Sequence, residues 1–356
     1  KNKKSLVLDL DNTLWGGIVG DDGAEGIEIG HETSMGQVYS EFQAYLKELL
    51  GYGIMLNVDS KNDEENAIAG LSHPEGTLRP QDFISIKANW EPKDLNFAEI
   101  AGELNILPES MVFVDDNPAE RAIVTGQIPG VCAPLMDAPE HYITAIDRCG
   151  FFEATKLSKD DLSRNEMYKA NAQRTKLQKS FRSYEDYLLS LDMHALIRPF
   201  EPVYISRIAQ LTNKSNQFNL TTRRFTESQM QAASRDPDII TLYGKLTDKF
   251  GDNGVISVVM GRIDGELLHI ELWLMSCRVL KRNMEHAMLD ELIRAAEKAG
   301  AKRLRGYYYK TPKNSMVKDF YKEFGFELVS EDGEDTVWEL PISGYAPKNT
   351  VIKVNV

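Results

Sequence analysis

Asp9 and Asp11 stand one residue apart at the end of a short apolar run, residues 5–10, and polar and glycine residues follow at once. The run predicts a buried strand. In open α/β sheets, ligands bind beyond the carboxyl ends of the strands. Two carboxylates at such an end repel each other unless a cation lies between them. The simplest partner is a hard cation with oxygen ligands, Mg²⁺ before any other. Two more predicted strands close on polar groups: 54–58 leads into Asp59-Ser60-Lys61-Asn62, and 111–114 into Asp115-Asp116-Asn117. If these strands are neighbours, the three clusters meet at one edge of a sheet.

The elements that must position them follow from spacing. Val38, Phe42, Tyr45, Leu46, Leu49 and Leu50 recur at helical intervals, and Gly51 and Gly53 stop the run. Further helices are predicted over 63–71 and 94–104. Another is opened by Pro118, whose missing N–H costs little there. Short strands are expected at 83–86 and, last, at 131–133. Strands alternating with helices mean a doubly wound parallel sheet, an α/β fold. Asp22-Gly23 is a hairpin signal, so 15–30 reads as a small flap beside the aspartates. The gaps from 11 to 60 and from 60 to 115 leave no room for a large cap.

This order of groups resembles the four motifs of the haloacid dehalogenase (HAD) superfamily. Asp9, Asp11 and Thr13 match its DxDxT pattern, Ser60 its strand-end hydroxyl, Lys93 its lysine, and Asp115-Asp116 its acidic pair. The resemblance implies that Asp9 attacks a phosphoryl group and that Asp11 protonates the leaving oxygen, then activates water. It implies Mg²⁺ held by Asp9, by Asp11 through its backbone carbonyl, and by Asp115 or Asp116, with Asp116 preferred. Ser60 and Lys93 would hold phosphate oxygens, and Asn12, Thr13, Lys61, Asn62 and Asn117 are candidate substrate contacts. An acid two positions after the nucleophile favours phosphoryl transfer over dehalogenation. Lys87 competes with Lys93 for the lysine role. Asp59 is expected to be a solvated turn residue, and Trp15 and Trp90 either sit in the core or line the mouth of the site.

From about residue 140 the pattern turns helical and charged, with a long connecting helix over 158–179 and a capping-like start at Ser183. A strand (194–200), a helix (202–211) and an unusual polar tract (213–224) come next. Then follow a hairpin across Asp264-Gly265, a helix from 284 to 299, a strand (303–309), a helix (315–324) and a strand (326–329). This order resembles an α+β acetyltransferase (GNAT-like) fold. In that fold an R-x-x-G-x-G loop binds the coenzyme A pyrophosphate. Arg278 matches, but Lys281 and Asn283 replace the glycines, so acetyl transfer is not expected. The expected division is a HAD-like domain at 1–150, a helical linker at 151–190 and a GNAT-like domain at 191–356.

Asp-Leu-Asp-Asn-Thr-Leu-Trp-Gly-Gly at 9–17, Ser60-Lys61-Asn62-Asp63, Asn89-Trp90-Glu91-Pro92-Lys93, Asp115-Asp116-Asn117-Pro118, Asn216-Gln217-Phe218-Asn219 and Trp273-Leu274-Met275-Ser276-Cys277-Arg278 together resemble the FkbH-like family. Its members join a HAD phosphatase to a GNAT-like domain. The resemblance implies a route from 1,3-bisphosphoglycerate to a glyceryl thioester on Cys277 and on to an acyl carrier protein. Arg278 would favour the thiolate, and His269 or His286 would be the base. Read from the residues alone, Cys277 is equally a small buried side chain at a strand end.

The chain has 356 residues, apolar content of 42% and a net charge of −13, which excludes nucleic acid as its main partner. No apolar run is long enough to span a bilayer, and no signal peptide is evident, though a start at Lys1 fits a trimmed chain. Three widely spaced cysteines, Cys132, Cys149 and Cys277, fit a reducing cytoplasm and lack zinc-site spacing. Basic residues gather in the second half: Arg223, Arg224, Arg278, Lys281, Arg282, Lys302, Arg303, Arg305, Lys310 and Lys313. They form either a docking face for an acidic carrier protein or a phosphorylated substrate, or an ordinary solvated surface. The leading expectation is a Mg²⁺-dependent phosphatase whose second domain selects a phosphorylated small-molecule or carrier-bound substrate. Glyceryl transfer is the first alternative. A non-catalytic binding protein on the HAD frame is the second, and the intact motifs count against it.

Overall fold

The computed structural model describes residues 2–153, 157 and 159–355, with the backbone alone at Lys159, Asp160 and Arg278. The chain divides into two compact units, Lys1–Gln173 and Arg174–Val356. The division falls within the helix Arg164–Gln178, in the segment expected to connect the domains. Among the described residues no helix is long and apolar enough to cross a membrane.

The first unit holds four parallel strands, β1 (Ser5–Leu8), β2 (Met55–Ser60), β3 (Phe83–Ala88) and β4 (Met111–Val114), in the order β3-β2-β1-β4. Side chains alternate across a strand. Leu6 and Leu8 therefore pack on one face, with Phe42 and Leu46 of helix Ser34–Gly51 and Ala67 and Leu71 of helix Glu64–Leu71. Val7 packs on the other, with Phe97 and Ile100 of helix Lys93–Leu104 and Val124 of helix Pro118–Gln127. Burial on both faces is why β1 and β4 read as apolar runs. The chain moves outward from β1 to β3 and then returns to the far side of β1 as β4. The winding reverses between β1 and β4, where such sheets open a crevice. This is the doubly wound α/β fold read from the sequence, without a large cap. Residues 131–133 contribute one bridge, Val112 with Cys132, rather than a strand.

The flap is closed by a single antiparallel bridge, Gly16 with Glu28. A helical turn, Val19–Asp22, stands where a hairpin was expected. Trp15, at the flap's base, is fully buried and belongs to the core.

The second unit is one eight-stranded mixed sheet. Its strands are β5 (Met193–Arg198), β6 (Ile239–Asp248), β7 (Gly251–Asp264), β8 (Leu267–Met275), β9 (Arg303–Tyr308), β10 (Glu327–Asp332), β11 (Asp335–Pro341) and β12 (Ile352–Asn355). They lie in the order β10-β11-β9-β8-β7-β6-β5-β12. Helix Met284–Lys298 covers one face and helices Ile205–Lys214 and Glu227–Ala233 the other. The sequence reading missed β6, β11 and β12. Parallel β8 and β9 pair only from Leu267 with Arg303 to Ile270 with Gly306. Beyond that they diverge, and residues 218–220 fill the gap: Leu220 N–H bonds Trp273 O (3.0 Å), Met275 N–H bonds Phe218 O (3.0 Å), and Tyr309 N–H bonds Leu220 O (2.9 Å).

Close packing ties one glycine to the flap. A Cβ on Gly70 would lie 2.8 Å from two ring carbons of Trp15, which has no room to retreat. Gly70→Ala is therefore expected to destabilise the first unit by about 1–3 kcal/mol through overpacking. Chemical denaturation read at the first unit checks this, and an unchanged midpoint would contradict it.

Candidate active site

Strand register assembles the site. Leu8 lies opposite Val58 on one side and Val114 on the other, in parallel alignment. The next residues, Asp59, Asp9 and Asp115, therefore stand side by side, Asp59 still within β2. The Asp9 N–H extends the ladder to Val114 O (2.9 Å). Carboxylate oxygens of Asp9, Asp115 and Asp116 all lie within 4.8 Å of one another. The backbone of the acidic pair is fixed by Arg121, whose Nη1 donates to Asp115 O (2.6 Å) and Asp116 O (2.7 Å).

Lys93 reaches this cluster from the first residue of its helix. Its Nζ lies 2.9 Å from Asp9 Oδ2 and 2.5 Å from Asp115 Oδ2, and the side chain is buried. A lysine at a helix N-terminus faces the positive end of the dipole, so the carboxylates, not the helix, hold it there. Burial works against the Lys93 ammonium, but Asp9 and Asp115 outweigh it and raise its pKa. Burial and the nearness of Asp9 raise the pKa of both Asp115 and Asp116. Three carboxylates face one ammonium. The excess negative charge and the all-oxygen donor set fit a hard divalent cation such as Mg²⁺.

Asp11 lies outside this trio of side chains. Its carboxylate accepts from Trp15 Nε1 (3.0 Å), the Val19 N–H (3.0 Å) and Asn62 Nδ2 (2.7 Å). Burial raises its pKa despite those three donors. Asn62 also reaches Ser60 Oγ at 3.4 Å, so the buried Ser60 hydroxyl and the Asp11 carboxylate share one amide. Asn12 turns the chain with φ 54°, a left-handed value that asparagine tolerates. Its carbonyl accepts from Tyr142 (2.9 Å) and Tyr39 (3.3 Å).

The other candidates are spread more widely. The buried Thr13 hydroxyl accepts the Asp116 N–H (3.3 Å), and Asn117 caps its helix by accepting the Ala119 N–H (2.9 Å). Lys61 pairs with Glu120 (2.5 Å). Lys87 pairs with Glu99 and Glu103, both at 2.7 Å, whereas Lys93 meets the aspartates. Trp90 is 70% exposed and donates to Asp63 (2.9 Å).

Asp59 requires a correction. It is fully buried at the end of β2 rather than a solvated turn residue, because the strand runs two residues further than its apolar stretch. Asn96 Nδ2 donates to Asp59 Oδ1 (3.1 Å), while Oδ2 has no partner among the described residues. Burial pushes its pKa up to about 8, with Lys93 and Asn96 opposing. Sequence reading also missed Asn96 and Arg121. The only signal available was their place, one turn into helices that start at Lys93 and Pro118.

In the second unit Cys277 is half-buried in a turn after β8. The Arg278 side chain lies outside the described part. Lys281 and Asn283 keep left-handed φ values of 64° and 59°, the backbone that glycines would favour, although each carries a side chain. His269 Nδ1 is bonded to the Tyr307 hydroxyl (2.7 Å), and His286 packs on Phe324. Much of the basic cluster is neutralised within the unit. Arg282 pairs with Asp248, Arg303 and Arg305 with Glu339, Lys302 with Glu266 and Lys310 with Glu334.

No protein-family model matches the chain, and no curated protein does. Among solved structures, it is similar to the N-terminal, phosphatase-domain part of a Bacteroides fragilis protein complexed with Mg. Identity is 44% over 44% of this chain and 42% of that one, with a TM-score of 0.42. It also matches a GNAT-family acetyltransferase from Streptococcus pneumoniae at 16% identity, covering 42% of this chain and all of that one, with a TM-score of 0.34. The ribosomal-protein-S18-alanine N-acetyltransferase of Escherichia coli matches at 13% identity over 44% of this chain and 99% of that one, with a TM-score of 0.33.

Asp59 generates a pH prediction. Its folded pKa lies above the ordinary 3.8, so folding favours the protonated acid. The stability this gives is complete below about pH 4 and is lost as pH rises toward about 8. Asp59→Asn should match the wild type near pH 4 and exceed it at pH 9 by on the order of 1–3 kcal/mol, the cost of burying an unsatisfied polar group. Denaturant unfolding at the two pH values measures it, and equal stability at pH 9 would contradict the burial argument.

Proposed function

We propose that the first unit is a Mg²⁺-dependent phosphohydrolase of the HAD type, acting through an aspartyl-phosphate on Asp9. The observation that carries this reading is the convergence of Asp9, Asp115 and Asp116 within 4.8 Å, with Lys93 bonded to two of them. The likeness to a phosphatase-domain structure complexed with Mg supports it.

Asp9, the Asp11 backbone carbonyl and the 115–116 acids would hold the metal. When bound it draws charge from the phosphate oxygens. An oxygen of Asp9 bonds to phosphorus as the bond to the leaving oxygen breaks. Asp11, whose raised pKa keeps more of it protonated than an ordinary aspartate, gives its proton to that oxygen. The resulting Asp11 carboxylate then takes a proton from water. The water oxygen attacks phosphorus, the bond to Asp9 breaks, and inorganic phosphate leaves. Lys93 and Ser60 hold the non-bridging oxygens throughout. Trp15, Val19 and Asn62 aim the Asp11 carboxylate. The second unit would select the phosphorylated small molecule or carrier-bound substrate. A thioester route through Cys277 to an acyl carrier protein rests on the sequence resemblance alone.

The test is phosphate release from a panel of phosphate monoesters and acyl phosphates with MgCl₂. Activity should vanish with EDTA and with Asp9→Asn. Asp11→Asn should cost about 10²–10⁴-fold, the size of a general acid–base contribution, mostly for poor leaving groups. An Asp9→Asn protein that still turns over would exclude the aspartyl-phosphate.

A further inference from the structure

The second unit contains a cavity of about 500 Å³, well within the range of small-molecule sites, that no part of the phosphatase reading uses. Its floor is a row of rings, His269 on β8, Tyr307 on β9 and Tyr309 just beyond it. His269 and Tyr307 stack at 6.1 Å and 12°, and Tyr307 and Tyr309 at 6.1 Å and 27°. The hydrogen bond between His269 Nδ1 and the Tyr307 hydroxyl ties two of these rings together.

The polar tract at 213–224 builds the wall. Its residues 218–220 are bound to both diverging strands. Asn314 Nδ2 adds bonds to Asn219 O (3.0 Å) and Tyr309 O (2.9 Å). Thr221 Oγ1 donates to Glu271 O (2.9 Å), and Thr222, at φ 53°, turns the chain so that Arg223 comes over the cavity. A left-handed threonine, β-branched, is a strained choice held by its surroundings. Arg262 faces in from β7.

Among the described residues, both arginines have unspent donors. Glu271 lies between them, 3.9 Å from Arg223 Nη1 and 3.9 Å from Arg262 Nε, beyond hydrogen-bond reach. Arg262 meets Asp236 only at 3.4–3.5 Å. On the walls two guanidiniums face one carboxylate, and Asp264 is exposed at the lip. An arginine pair recognises carboxylate or phosphate oxygens, and the tyrosine rings present apolar faces.

We propose that this cavity binds a small ring-bearing acid, with its carboxylate or phosphate between Arg223 and Arg262 and its ring against Tyr307 and Tyr309. The proposal does not rest on the phosphatase reading.

Calorimetric titration of the full chain in EDTA, in the Asp9→Asn background, keeps the first unit out of the measurement. The probes are benzoate and phenyl phosphate, with benzyl alcohol as the neutral control. Saturable binding of at least one acid is expected, at least tenfold tighter than benzyl alcohol, and the stronger of the two identifies the anion. Arg223→Ala with Arg262→Ala should weaken it at least tenfold, and Glu271→Gln should strengthen it several-fold by removing the negative charge that competes with the ligand's anion. Both arginines are about half exposed, so the double variant should unfold at the wild-type temperature. No saturable binding of either acid, or equal binding by the double variant, overturns the proposal.

Discussion

One ammonium among too many carboxylates is the constraint on which the first unit turns. Two unit charges 4 Å apart interact by about 4 kcal/mol at the effective dielectric of a protein surface. Asp9, Asp115 and Asp116 cannot all carry charge at such spacing without counter-ions. Lys93 meets two of them, and its burial shows that the helix beginning there is aimed for this contact. The imbalance left over is the physical reason for a divalent ion.

Asp11 is kept apart from that cluster by its own hydrogen bonds, and on the proposed reading this separates two chemical tasks. The flap supplies the Trp15 and Val19 donors, and the loop after β2 supplies Asn62. Trp15 in turn is wedged against Gly70 of the helix that follows that loop. A short flap can therefore hold a carboxyl in place because the core grips the indole at its base. No cap is needed for that purpose.

In the second unit the informative feature is a gap in a sheet. Strands β8 and β9 part after four paired residues, and the chain fills the opening with its own backbone. Unpaired N–H and C=O groups along two diverging edges would be costly if buried. Segment 218–220 satisfies them and carries Thr221 and Arg223 to the rim of a cavity. The polar tract thus has a structural role that its composition did not reveal.

The four parallel strands, their helices and the residues at their ends were legible because β1, β2 and β4 are buried on both faces and each helix keeps its period. The helix-start lysine was legible as a candidate, but Lys87 could be set aside only once Glu99 and Glu103 were seen around it. Asp59 was misread because an aspartate after an apolar run looks solvated, and only the neighbouring strands reveal that it is enclosed. In the second unit β6, β11 and β12 went unseen; β12 is an edge strand whose one partner, β5, lies far away in sequence, and the central residues of β6 are buried in an unbroken run instead of alternating. Sequence by itself determined which groups stand at the strand ends, because local period and residue type decide where a strand stops. Tertiary structure alone decided that Asp9 faces Asp115, that Asp59 is buried and that Arg223 meets a row of tyrosines, because register and strand order are set by contacts between residues far apart in the chain.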